Sequence, residues 1–127
     1  MDASSRFATE RSAPLWSLER LEGLALNQCR FEAGTFAGCE ALKNLKGLYL
    51  NNTELTAEHF AHIAGLPNLE GLYLAASNLD DAQLTRLASI RSLRQLDCRE
   101  TNVTEQGANR FRAARPDCEL QWWRRPQ

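Results

Sequence analysis

His59 and His62, the two histidines of the chain, stand three residues apart beside Glu58. On a helix that spacing can bring two imidazoles to one surface, as a metal site requires. Cys29, Cys39, Cys98 and Cys118 could supply thiolates, yet none belongs to a C-x-x-C pair. Arg110, Arg112, Arg115, Arg124 and Arg125 with Trp122 and Trp123 form a basic-aromatic mixture suited to stacking on single-stranded nucleic acid. Tyr49, Tyr73, Asn51, Asp97, Arg99 and Trp123 include the Tyr, Arg and Trp types enriched at protein-binding hot spots. Gly23, Gly47 and Gly71 are isolated, so they make no phosphate-cradling loop, and no Ser-His-acid pattern is present.

Which of these groups can act together depends on the elements that carry them, and a repeat fixes those elements. Leu21, Leu45, Leu69 and Leu93 recur every 24 residues. Leu24, Leu48, Leu72 and Leu96 keep the same step, as do Leu26, Leu50, Leu74 and Cys98. So do Leu18, Leu42, Leu66 and Ile90, then Phe31, Leu55, Leu79 and Val103, then Cys39, Ile63, Leu87 and Phe111. Within a copy, Leu72-Tyr73-Leu74 alternates with period two and predicts a strand. Phe60/Ile63 and Leu84/Leu87 are spaced by three and predict short helices, opened by the caps Thr56, Asp80 and Thr104. Asp80 with Gln83 approximates a capping box. Strands that return through a helix on one side are parallel.

The run Leu66-x-x-Leu69-x-x-Leu72-x-Leu74-x-x-Ser77-x-Leu79, followed by a helical turn ending on Leu87, resembles the leucine-rich-repeat family. Leu55-Thr56 to Ile63 is similar to bacterial members, and the resemblance covers about residues 15–123. It implies a right-handed α/β solenoid with a parallel sheet of about five short strands on the concave face and short helices on the convex face. It also implies that Cys29, Thr53, Ser77 and Thr101 bond backbone groups of the turns between units. The first copy, Arg30 to Gly34, lacks a good cap and predicts an irregular convex segment. The fifth copy is a strand only, with Leu120 and Trp122 in register. Residues 1–14, with Phe7 as an anchor, are expected to cover the first rung as a polar N-terminal segment, and 124–127 form a tail.

Laid on this frame, the candidate groups separate. Phe60 and Ile63 define the inward helix face, so His59 and His62 are expected to point to solvent. The cysteines occupy inward or turn positions and read as buried thiols of a reducing compartment, with no metal and no cofactor. With Leu72 and Leu74 inward, three columns face outward: Gly23, Gly47, Gly71, Gln95, Glu119; then Ala25, Tyr49, Tyr73, Asp97, Gln121; then Asn27, Asn51, Ala75, Arg99, Trp123. Tyr49 and Tyr73 should stand side by side, next to a shallow groove over the glycines and bordered by Asp97, Arg99 and Trp123.

The chain has 127 residues, enough for one domain, with 43% hydrophobic and 24% charged residues, which argues against disorder. No apolar run approaches the roughly 20 residues of a membrane span, and the first residues lack signal-peptide order, so the expected location is cytoplasmic. Net charge is −1, which weighs against nucleic acid as the partner. Residues 1–80 hold 6 basic and 10 acidic side chains, −4; residues 81–127 hold 9 and 6, +3. The expected function is a non-catalytic module that binds a protein or peptide through the concave face, with no small-molecule substrate. An inhibitor that neutralises one enzyme or toxin is the alternative. Oligomeric state stays open, because an exposed end strand could pair two copies.

Overall fold

The computed structural model describes residues 20–32 and 34–123. The expectations for residues 1–14, for Leu18 and for Arg124 and Arg125 lie outside them. Five strands, β1 (Gly23–Ala25), β2 (Gly47–Tyr49), β3 (Gly71–Tyr73), β4 (Gln95–Asp97) and β5 (Glu119–Gln121), form one parallel sheet in sequence order. Each strand residue pairs with the residue 24 positions on, as in Leu24–Leu48–Leu72–Leu96–Leu120. The backbone ladder continues past the strands. Leu50 N–H donates to Tyr73 O and Asn52 N–H to Ala75 O, both at 2.8 Å, and the other rungs repeat both bonds.

Between strands the chain makes a 3-10 turn (Cys39–Ala41) and then three helices, α1 (Ala57–Ala64), α2 (Asp81–Leu87) and α3 (Glu105–Ala114). Each α-helix starts where a side-chain oxygen can accept a free amide: Thr56 from His59, Asp80 from Gln83, Thr104 from Gly107. The first copy has no such cap. Gly38, at φ 92°, precedes a single 3-10 turn, which is the irregular segment that the missing cap predicts. Leucines of the strands and Phe36, Phe60, Leu84 and Ala108 of the opposite layer close one continuous core. Leu21 and Leu24, on the first described rung, are only partly buried.

The capping box differs from expectation. Gln83 does not complete a capping box, for its Oε1 is buried and makes no hydrogen bond among the described residues. The reciprocal box forms at Thr56 and His59 instead. Thr53 and Thr101 do bond backbone carbonyls of the turns between units, Leu50 O at 2.6 Å and Cys98 O at 2.7 Å. Beside the strands, asparagines also tie one unit to the next. Asn27 Oδ1 accepts Asn51 N–H, Asn51 Oδ1 accepts Ala75 N–H, and Asn78 bonds both backbone groups of Leu55.

Each of the first four strands leaves the sheet through one residue in the left-handed region: Gln28, Asn52, Ala76 and Glu100, with φ between 59° and 62°. None is glycine, and for a side chain with a β-carbon this conformation costs roughly 1–2 kcal/mol. Ala76 is exposed and has no polar side chain to offset that cost. Ala76→Gly is therefore expected to stabilise the fold by roughly 0.5–1 kcal/mol, after the extra entropy of the unfolded glycine is subtracted. Chemical denaturation checks it; an unchanged or lower midpoint contradicts the strain. Leu72→Asp, which buries an unpaired charge in the middle rung, is expected to abolish cooperative folding.

Candidate functional site

The helix-borne groups do not assemble a centre. His59 is 0% exposed, not solvent-facing as its spacing predicted. The first copy contributes no α-helix, and the imidazole fills the space beside that copy, with Phe36 and Phe31 ring centroids 5.3 and 6.1 Å away. Its Nδ1 accepts the Thr56 N–H at 3.1 Å, so Nε2 carries the proton and donates to Glu32 O at 2.8 Å. His62 is half-buried, with Nδ1 2.9 Å from Glu40 Oε2. Burial opposes ionisation of Glu40, but the His62 hydrogen bond and nearby backbone amides outweigh it and hold the carboxyl below its usual range. Among the described residues, no group of three or more His, Cys, Asp or Glu side chains is placed to hold a metal ion.

The thiols are buried and none forms a disulfide. Burial, with Glu40 adding repulsion, pushes Cys39 up to about 12; burial beside Asp97 does the same for Cys98. Neither offers a thiolate near neutral pH.

The basic-aromatic grouping also comes apart. Arg115 is largely buried and donates to the carbonyls of Ala88, Ile90 and Leu93, which closes the loop after α2. Asp117 clamps the same guanidinium through both oxygens, and those hydrogen bonds bring the Asp117 carboxyl down to about 2. Trp122 is partly buried and donates Nε1–H to Val103 O at 2.9 Å, which ties its ring to the core. Arg112 reaches back to Leu120 O at 3.4 Å. Arg110 is exposed on α3.

The outer sheet face is where predicted site residues meet. Tyr49 and Tyr73, register partners on β2 and β3, stack with centroids 4.4 Å apart and planes 9° apart. Tyr49 is 40% exposed and Trp123 is 52% exposed, the two large hydrophobic side chains that stand open to solvent among the described residues. Tyr73 Oη donates to Gln95 Oε1 at 3.0 Å. Desolvation first, then Tyr49 and Asp97, raise the Tyr73 phenol, so it stays protonated. Arg99 Nε and Nη2 grip the two Asp97 oxygens at 2.8 and 2.7 Å, and the guanidinium lies 5.0 Å from the Trp123 ring centroid.

Three predicted features change here. Asp97 sits in the outward register, yet its side chain is only 6% exposed. The bidentate Arg99 fork uses both of its oxygens, so it serves to aim Arg99 and is not an open contact. Asn51 has its Oδ1 committed to the Ala75 amide, which makes it a strand tie. The groove over Gly47 and Gly71 is narrowed, because the tyrosine rings lean along the strands, while Gly23 stays open. A β-carbon at Gly71 would lie 2.7 Å from Tyr73 Oη, and one at Gly47 3.6 Å from the Tyr49 ring. The remaining hollow, of about 380 Å³, opens at the strand starts between Lys46, Glu70, Arg94 and Gln95. A larger polar hollow, about 630 Å³, lies at the opposite ends of the strands beside Gln28, Asn52, Ala76 and Asn102. Only the 24-residue recurrence of positions 28, 52, 76 and 100 could have marked those turns in advance, since their residue types share nothing.

No protein-family model matches the chain, and no significant match is found among curated proteins.

Native protein at pH 8 is expected to leave Cys39 and Cys98 unmodified by a thiol reagent over times in which the denatured chain reacts fully. Rapid labelling of either in the folded state contradicts their burial. Asp117 titrates lower when folded than its ordinary 3.8, so its stabilising effect is present above about pH 4 and lost as pH falls toward 2. Asp117→Asn should flatten that acid limb of a stability-pH curve; an identical limb in the variant contradicts the Arg115 clamp.

Proposed function

We propose that the chain is a leucine-rich-repeat solenoid that acts as a non-catalytic interaction module, binding a protein or peptide through the concave side of its sheet. What supports the repeat reading is the unbroken 24-residue register of five parallel strands with one turn or helix between each pair. The observation that carries the functional reading is the exposed, parallel Tyr49–Tyr73 stack beside the aimed Arg99 and the open Trp123. Tyr, Arg and Trp are the side chains on which binding energy concentrates. Both stacks are braced before any partner arrives, so little rotamer entropy is lost on contact.

Buried thiols without disulfides suit a reducing, cytoplasmic setting. No described helix is long and apolar enough to cross a membrane.

Capture from a native lysate with wild-type protein beside Tyr49→Ala/Tyr73→Ala tests the assignment. The double variant should fold with a loss of about 1 kcal/mol or less, since cross-strand pairs contribute only about 0.2–1 kcal/mol. It should lose its stoichiometric partner. A partner held equally well by an equally folded variant contradicts binding through this face.

A further inference from the structure

The tyrosine column ends abruptly, and its open end has a definite chemistry. One face of Tyr49 is covered by Tyr73. The other looks along the sheet toward its register partner on β1, which is Ala25. Gly23, Ala25 and Asn27 on that rung are all exposed, and a methyl group is too short to cover a phenol ring. The first rung is thus a low ledge beside an aromatic face, one strand spacing of about 4.8 Å away. At the other end of the same sheet face the neighbouring column makes a cation–aromatic contact from within. There the Arg99 guanidinium lies on Trp123, and these residues too are 24 apart.

We infer that the partner sets an arginine side chain on the Ala25 ledge, flat against the open face of Tyr49. The inference rests on the concave-face reading above and names what that face recognises. A phenol ring face is the negative side of its quadrupole, and it attracts a planar cation and repels a carboxylate. Charge favours the same choice: residues 20–80 hold 4 basic and 7 acidic side chains, and Glu22 stands exposed at the entrance to β1. An acidic partner group would face both the ring and that surplus. A guanidinium matches both and continues the stack in the manner of Arg99 on Trp123.

A random peptide library selected on the full-length protein and counter-screened on Tyr49→Ala/Tyr73→Ala provides the test. Peptides that need both tyrosines should share an arginine. Replacing that arginine with citrulline, which keeps the shape and removes the charge, should weaken binding roughly 3- to 30-fold. Ala25→Trp, which fills an exposed ledge, should exclude the same peptides from a protein whose circular dichroism is unchanged. Peptides that depend on the tyrosines but lack arginine, or tolerate citrulline or Ala25→Trp, overturn the arginine assignment and leave the concave-face reading intact. Peptides that bind the double variant equally, or a library that yields no binder to wild type, overturn both.

Discussion

Because each strand residue is bonded across to the strand that holds the residue 24 positions on, a one-residue slip between two rungs would turn the leucines of every later rung toward solvent. This single constraint sets the inward columns, and so it also sets what stands on the other side of the sheet. Leu48, Leu72 and Leu96 pointing in require Tyr49, Tyr73 and Asp97 to point out. The helices are subordinate to the same spacing. Each begins at a capping oxygen placed after its strand, and where a cap is lacking, at Gly38, the chain closes the rung with one 3-10 turn. His59 then serves two units at once, as a cap partner in its own and a hydrogen-bond donor to Glu32 in the one before.

The core and the tyrosine stack thereby lie on opposite faces of the sheet. The leucine columns and the carboxamide ties hold successive rungs together, while a stacked pair on the outer face adds little to folding. That face can therefore vary its side chains with small cost to the core. Its low relief on the first three rungs, made of glycine, alanine and asparagine, sets off the tyrosine stack. The fourth and fifth rungs replace apolar stacking with a fixed ion pair under a guanidinium on tryptophan. A ligand lying across the strands would meet aromatic faces at one end and a cation at the other.

Periodicity was enough to read the strands, the caps at Thr56, Asp80 and Thr104, and the side-by-side tyrosines, because these follow from backbone geometry alone. It failed where a side chain's length or its neighbour decided the outcome. Asp97 has an outward register but is covered by the arginine two residues on, which a column pattern does not encode. Asn51 looked like a surface contact because the pattern shows which way a residue points and not whether its amide reaches the next rung. His59 was misplaced because its burial depends on the absence of a helix in the preceding copy. The glycine column reads as open space until the lean of Tyr73 over Gly71 is known.

Hydroxyl-radical footprinting of the complex with the captured partner tests most directly whether recognition occurs on the sheet face. Tyr49 and Trp123 report from that face, and the partly exposed His62 reports from the helix layer. The account predicts that the partner suppresses oxidation of Tyr49 and Trp123 while His62 reacts as it does in the free protein. Protection of His62 with Tyr49 and Trp123 unchanged would contradict it and move recognition to the helices.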